Sequence, residues 1–439
     1  VPTLNKIRTA LTRHRPLFPS PTAKSRTAPH GGGIPDATPR PAGSRLLRHR
    51  AAITAFFAMD GFLFAGWVVR IPAIKAQTGA GAGALGLALL GVSVGAVAFM
   101  TVTGRLCRRY GSQAVTVASG AALALSILLP PFARSATALG LALLVFGAAY
   151  GSLNVAMNSA AVELITVLRR PVMPGFHAAF SLGGMLGAGL GGLVAGRLSP
   201  VAHLAALAAC GLVTAAVAGR TLLRTREVTA RAAPPGVRPA ASPPPSGRAP
   251  RPGGTGGPVR RLVVVFGVIA LCTAYGEGAL ADWGALHLSQ DLAASPGFAA
   301  AGYAVFALAM TAGRLSGTAV VERFGPARTL AAGGGTAAAG MLLGALAPSA
   351  WAACAGFAVA GLGLANIFPV AIARAGAAGG SDGVAVASTI GYGGMLLGPP
   401  AIGFLTEAWS LPVALTTVAL LAAVAAVIAH TTRDTHRTG

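Results

Sequence analysis

The sequence predicts an all-α integral membrane protein: twelve transmembrane helices in two pseudo-symmetric six-helix halves. Three observations carry this reading. First, 54% of the 439 residues are hydrophobic and only 10% are charged, against about 25% charged in soluble domains, and the mean hydropathy is +0.67. Second, apolar segments follow one another with short polar breaks, each of about the twenty residues a helix needs to cross a hydrocarbon core. A porin-type barrel shows weaker, alternating segments of about ten residues. Third, one long segment rich in Pro, Gly and Arg, residues 224–261, divides the chain into halves that resemble each other.

In chain order, residues 1–50 are rich in Arg, Pro, Ser and Thr and nearly free of acids, which predicts a disordered basic cytoplasmic tail. They hold no signal-peptide hydrophobic region, so the first span is expected to act as the targeting signal. An organellar transit peptide is the alternative for so acid-poor a start. The first span, Ala51–Ile74, reads AAITAFFAMDGFLFAGWVVRIPAI and carries Asp60 near its centre. Eleven further spans are expected at about Leu85–Gly104, Ser112–Ala133, Ala138–Leu164, Gly175–Ala195, Val201–Leu223, Leu262–Leu286, Phe298–Val320, Thr329–Ala347, Trp351–Arg374, Val384–Ala408 and Leu411–His430. The first half is therefore 51–223 and the second 262–431. The segment between them cannot bury a core and reads as a flexible cytoplasmic linker, and 432–439 as a second cytoplasmic tail.

Arginines concentrate in the breaks after even-numbered spans: Arg105, Arg108 and Arg109, then Arg169 and Arg170, then the linker, then Arg323 and Arg328, and Arg374. Such a bias places both termini in the cytoplasm. The net charge of +23 includes only three lysines, and orientation explains its placement better than a nucleic-acid surface does. The four cysteines (Cys107, Cys210, Cys272, Cys354) are far apart and read as packing residues without a disulfide, three in apolar runs and Cys107 in a loop. No metal-ligand cluster or nucleophile–base pair stands at recognisable spacing. The glycines of Gly183–Gly192 follow no strand and read as helix packing, not as a phosphate loop. No enzyme activity and no cofactor is expected.

The halves repeat four features in order. GRLCRRYG (Gly104–Gly111) has a counterpart in TAVVERFG (Thr318–Gly325), and Gly151–Asn154 in Gly363–Asn366. GGML at Gly183–Leu186 recurs at Gly393–Leu396, and Asp60-Gly61 has an analogue in Glu277-Gly278. A parallel duplication of six spans places a substrate site between the halves at mid-membrane.

Ionisable groups at that depth need a reason. A carboxylate at the bilayer centre costs roughly 3 kcal/mol on insertion scales and usually faces a protein interior or a water-filled path. In such a place Asp60 can bind and release a proton near neutral pH, or serve as a structural acid paired to a neighbouring helix. Glu277, beside Tyr275, is read in the same two ways, while Asp282 next to Trp283 is assigned to the interface. Tyr150, Asn154 and Asn158 form one polar stripe at i, i+4, i+8 on span four, fitting either a polar solute or helix–helix contacts. Glu163 lies nearer the cytoplasmic end of that helix, close to Arg169 and Arg170, as a coupling acid, a gate or an interfacial ion pair. His177 can titrate near neutrality or be a satisfied structural group. Asn366 before Pro369 predicts a kinked helix lining a cavity. Arg70, at the outer end of span one, can attract an anion or snorkel to the interface. Gly398-Pro399-Pro400 is expected to kink span eleven.

The chain from about 50 to 431 resembles the major facilitator superfamily. That family carries a loop G-x-L-a-D-R-x-G after span two; Gly104, Leu106, Arg109 and Gly111 match it, but the acid position holds Arg108. In the second copy Glu322, Arg323 and Gly325 match, with Thr318 in place of the leading glycine. In the family the loop acid helps to lock one conformation, so the resemblance leaves that role to the Glu322–Arg323 copy. DGFLFAGWVVRIPAIK, NVAMNSAAVEL and FHAAFSLGGMLGAGLGG are similar to the fucose-permease-like branch, which includes uncharacterised bacterial inner-membrane members. That branch places acids in spans one and four, here Asp60 and Glu163. The resemblance implies a monomeric secondary transporter in the cell membrane. The polar stripe on span four favours a small polar, possibly sugar-like solute, moved by alternating access, and Asp60, its repeat analogue Glu277 and Glu163 are the expected proton-coupling residues, with a proton as the second partner. Proton-driven efflux of amphiphilic compounds is the alternative, and a non-transporting membrane sensor a lesser one.

Overall fold

A computed structural model describes residues 42–80, 82–194, 197–225 and 257–431 of the chain. In the first half the helices are α1 (Ala42–Val68), α2 (Ile71–Thr78), α3 (Ala82–Tyr110), α4 (Ser112–Ser126), α5 (Ala136–Leu168), α6 (Met173–Val194) and α7 (Pro200–Arg224). The second half has α8 (Gly257–Leu286), α9 (Pro296–Phe324), α10 (Pro326–Leu346), α11 (Ala350–Leu364), α12 (Ile367–Ala408) and α13 (Leu411–Thr431). No strand occurs among the described residues. Eleven of the helical stretches are long and apolar enough to cross a membrane.

The twelfth crossing is hidden in the longest stretch. At about 1.5 Å per residue, the 59 residues of Ala350–Ala408 would run roughly 90 Å as one rod, three times a hydrocarbon core. Gly380 interrupts it at φ 57°, ψ −146°, a backbone region essentially reserved for glycine. The chain doubles back there: a Cβ on Gly383 would meet the Ala375 carbonyl, and Gly376 lies against Val384. Residues before and after Gly380 therefore cross separately, giving twelve spans.

Four helix starts on the side away from the linker share one device. Ser135, Ser199, Ser295 and Ser349 each accept the backbone N–H three residues on, at 3.1, 3.2, 3.4 and 3.4 Å, and so satisfy one of the four amides a helix start leaves open. Large apolar side chains such as Leu87, Leu193, Val217, Leu308 and Phe404 are exposed on the helix bundle. In water they would be an aggregation surface; toward lipid they are the expected outer coat.

Close packing relies on residues without a side chain. A Cβ on Gly183 of α6 would collide with the Ala58 carbonyl of α1, and one on Gly394 of α12 with the Leu271 carbonyl of α8. Small residues allow such backbone approach between membrane helices. One helix turn further on, Gly187 packs on Phe62 and Gly398 on Tyr275. These matched contacts set the register of the repeat and correct the sequence reading, pairing Gly183 with Gly394 rather than with Gly393. Phe62 corresponds to Tyr275, so Asp60 corresponds to Thr273 and Glu277 to Phe64. The two carboxylates are not equivalent; they are staggered by about one turn.

Other boundaries shift. The first helix begins at Ala42, inside the expected tail, because AGSRLLRHR continues the helical phase and buries His49. Its ring Nδ1 lies 2.7 Å from Thr225 Oγ1 at the end of α7. The helix ends at Val68, and Pro72 falls in the separate α2. On the linker side α8 starts at Gly257, five residues early. Cys107 is helical and buried, not in a loop, and all four cysteines are free. Helix α12 is continuous through Gly398-Pro399-Pro400, and the break before it falls at Asn366. Readings made for residues 1–41, 226–256 and 432–439 lie outside the described residues.

Candidate functional site

The halves meet through α3, α5 and α6 on one side and α9 and α12 on the other. Between them is a cavity of about 530 Å³, counting the space open at its mouth. Its wall takes Phe57 from α1, Tyr150, Asn154 and Met157 from α5, and His177 and Phe180 from α6. The second half adds Ala274 and Glu277 from α8, Arg314 from α9, and Phe368, Tyr392 and Met395 from α12.

The polar part of the wall is a connected set. Arg314 Nη2 donates to Glu277 Oε1 at 3.0 Å, Nη1 donates to Ser181 Oγ across the interface at 2.7 Å, and Nε reaches the Ala365 carbonyl at 3.4 Å. Both charges of the ion pair are largely withdrawn from water, with side chains 8% and 23% exposed. Asn154 Nδ2 donates to Tyr392 OH at 3.2 Å, and that hydroxyl donates to Tyr150 OH at 3.3 Å; these bonds also span the two halves. His177 Nε2 stands 3.3 Å from Asn158 Oδ1, and its ring packs edge-on against Phe57 and Phe368.

Asp60 has a different setting. It is wholly buried, and neither carboxylate oxygen has a hydrogen-bond partner. It sits three residues after Phe57 and four before Phe64 on α1, hence on one helix face with both. Phe57 touches His177, and Phe64 touches Tyr150 at 5.1 Å between ring centres. The acid thus faces inward, one layer behind the cavity wall. It faces neither lipid nor the open cavity.

Tyr150, Asn154, His177 and Glu277, all predicted site residues, are brought together at the wall. Asn158 supports His177 from behind and bonds the Asn154 carbonyl at 2.8 Å. Asn366 lies at the helix break, but its amide donates to the Gly313 carbonyl at 2.9 Å, one residue from Arg314, where it holds α9 in place. Glu163 accepts from Gln113 Nε2 at 2.7 Å, joining α4 to α5 nine residues toward the linker side from Asn154. Arg70 is buried at the far end of α1, where Nε donates to His203 Nδ1 at 2.7 Å and Nη2 to the Val194 carbonyl at 3.4 Å. It ties α1 to α6 and α7 and does not reach the cavity. Asp282 is exposed.

Two polar residues of the wall escaped the sequence reading, Arg314 and Tyr392. Arg314 carried the same signal as Asp60, a charge inside an apolar span. Tyr392 sits one residue before the repeated GGML.

The motif after span two is a helix end, not a loop: α3 runs through Tyr110 and turns at Gly111, φ 90°. There Arg108 forms an ion pair with Asp382, just past the Gly380 turn, and Ser381 Oγ donates to the Gly104 carbonyl at 3.4 Å. Arg170 Nε bonds Glu322 Oε1 at 2.7 Å. Arg109 and Arg323 lie over the rings of Tyr110 and Phe324, while Gly325 turns α9 into α10 at φ 78°. Both ion pairs join the two halves on the linker side. The first half gives both cations and the second both acids.

The family model for the Major Facilitator Superfamily matches residues 51–281. This chain belongs to the major facilitator superfamily. An uncharacterised MFS-type transporter of Yersinia pestis is 35% identical over 379 residues, covering 84% of this chain and 91% of that protein. Among solved structures, the fucose:proton symporter FucP of E. coli superposes with a TM-score of 0.68 at 17% identity, covering 88% of this chain and 99% of that one. The human organic anion transporter MFSD10 superposes at 0.66 with 14% identity, over 88% and 99%. The protein is thus a multi-pass membrane transporter of this superfamily and not an enzyme.

Proposed function

We propose that this MFS transporter moves a small polar, sugar-like solute through the cell membrane by alternating access, driven by protonation of Asp60. In this reading the chain works as a monomer with both termini in the cytoplasm, and the linker side is the cytoplasmic side. The observation that carries it is the setting of Asp60. A carboxylate charged and unpaired at that depth costs several kcal/mol, so Asp60 carries a proton in this conformation. Releasing it requires water or a partner to reach the acid, and hence a different arrangement of α1. Proton binding and conformation are then linked. Glu277 and Glu163, already engaged by Arg314 and Gln113, serve the cavity and the first half rather than the proton.

The polar wall of Tyr150, Asn154, His177 and Tyr392 supports a hydroxylated solute, and FucP by its name carries a sugar with a proton. MFSD10 shows that the fold itself does not choose the cargo. Phe57, Phe180, Phe368 and Met395 in the same wall favour a second reading, proton-driven efflux of amphiphilic compounds.

The test is solute-induced pH change in proteoliposomes over a panel of sugars and amphiphiles, with wild type and Asp60→Asn. Wild type is expected to move protons with one solute class, and Asp60→Asn to exchange that solute without accumulating it. Uphill transport by Asp60→Asn with unchanged proton movement would end the Asp60 assignment.

A further inference from the structure

We infer that Glu277 is the charge-selecting residue of the cavity. By neutralising Arg314 it fits the site to uncharged solutes that donate hydrogen bonds and turns it against anions. The inference rests on the cavity being the substrate site, and it goes further by naming the charge class that site accepts.

Much of the wall's hydrogen-bonding capacity is already committed. Arg314 is the arginine of the wall, and each of its three guanidinium nitrogens already has an acceptor: Glu277, Ser181 and the Ala365 carbonyl. His177 Nε2 is engaged by Asn158, and the Asn154 amide nitrogen by Tyr392. Some Arg314 N–H groups and the Tyr150 O–H remain as donors, and beside them stands acceptor capacity. Asn154 is only 5% exposed, lines the cavity, and its Oδ1 has no hydrogen-bond partner. Glu277 is the more exposed member of its ion pair, and only Oε1 is committed to Arg314. A buried acceptor left unpaired is costly, and a ligand O–H relieves it. A carboxylate or phosphate brings no donor to either oxygen and faces the Glu277 charge. An ammonium ion can donate, but it meets the Arg314 charge at short range. A neutral hydroxylated ring meets neither penalty.

The test measures thermal stabilisation of the purified full-length protein by sulfate, glucuronate, glucosamine and glucose, each against sodium chloride of equal ionic strength. Wild type is expected to show no response to sulfate or glucuronate beyond the salt control. In Glu277→Gln the uncompensated Arg314 should bind sulfate and glucuronate at least tenfold more tightly. The double variant Glu277→Gln/Arg314→Gln should lose that gain. Anion stabilisation of wild type that disappears in Arg314→Gln overturns the inference, as does a folded Glu277→Gln that gains no anion response. Stabilisation by glucosamine but not by glucose overturns it too. Should Glu277→Gln not fold, wild type against Arg314→Gln decides: an Arg314-dependent anion response refutes the inference and its absence supports it. Failure of glucose with the anion results as expected removes the sugar reading and leaves the charge selection standing.

Discussion

Exchanging the charges of Arg108 and Asp382 tests how the linker side is held shut. Their side chains are 48% and 41% exposed, so the pair belongs with surface ion pairs, worth about 0.2–1 kcal/mol. Removing it should shift the balance between clasped and parted linker-side ends by roughly 1.4- to 5-fold. Arg108→Asp goes further, because two carboxylates then face each other. With attraction lost and a repulsion of similar size added, the shift approaches about 2 kcal/mol, or roughly thirty-fold. The double exchange Arg108→Asp/Asp382→Arg restores the attraction and should return the balance to within about twofold of wild type. Spin labels at Tyr110 and Phe324, each 50% exposed at the linker-side ends of α3 and α9, report the distance between halves once the exposed Cys210 is replaced by serine. The effect should shrink in 1 M salt, where charges are screened within about 3 Å. An unchanged distance distribution in Arg108→Asp, or a double exchange that fails to restore it, would refute the reasoning.

Other outcomes follow from the packing. Gly183→Leu should abolish folded protein, because the added side chain starts inside the Ala58 carbonyl; Gly189→Leu, which meets nothing within 4 Å, should fold normally, and monodispersity on size exclusion compares the two. Gly380→Ala places a Cβ in a backbone region that costs about 1–3 kcal/mol and should lower the melting temperature, while the neighbouring Gly379→Ala, without that φ, should lower it less.

Hydropathy made the twelve spans legible, since each buries or lipid-coats about twenty residues wherever its neighbours lie. It could not mark where α1 begins. Arg45, Arg48 and Arg50 extend the helix past the apolar run, and composition alone reads them as tail. The repeat was visible in its glycines, but the register was not. Asp60-Gly61 and Glu277-Gly278 look alike as dipeptides, yet the contacts of Gly187 and Gly398 set them one turn apart. Part of the site was legible from the spacing of Tyr150, Asn154 and Asn158 along a single helix. The rest depended on partners from other helices. Arg314 meets Glu277 across 37 positions and Ser181 across 133, and counting arginines as orientation signals hid one that sits in the middle of a span. Arg108 seemed to break its motif because its acid, Asp382, lies 274 positions away in the other half.

The one-turn stagger between Asp60 and Glu277 bears on how such a protein can be built or altered. Where the first half holds a bare acid, the second places Thr273, and where the second holds its salt-bridged acid, the first places Phe64. The two halves of the scaffold have diverged at these positions, with an unpaired acid on one side and a salt-bridged one on the other. Two copies of either half would keep the helix packing but lose one of those two acids. A symmetric chimera should therefore assemble in a bilayer and still fail to drive anything across it.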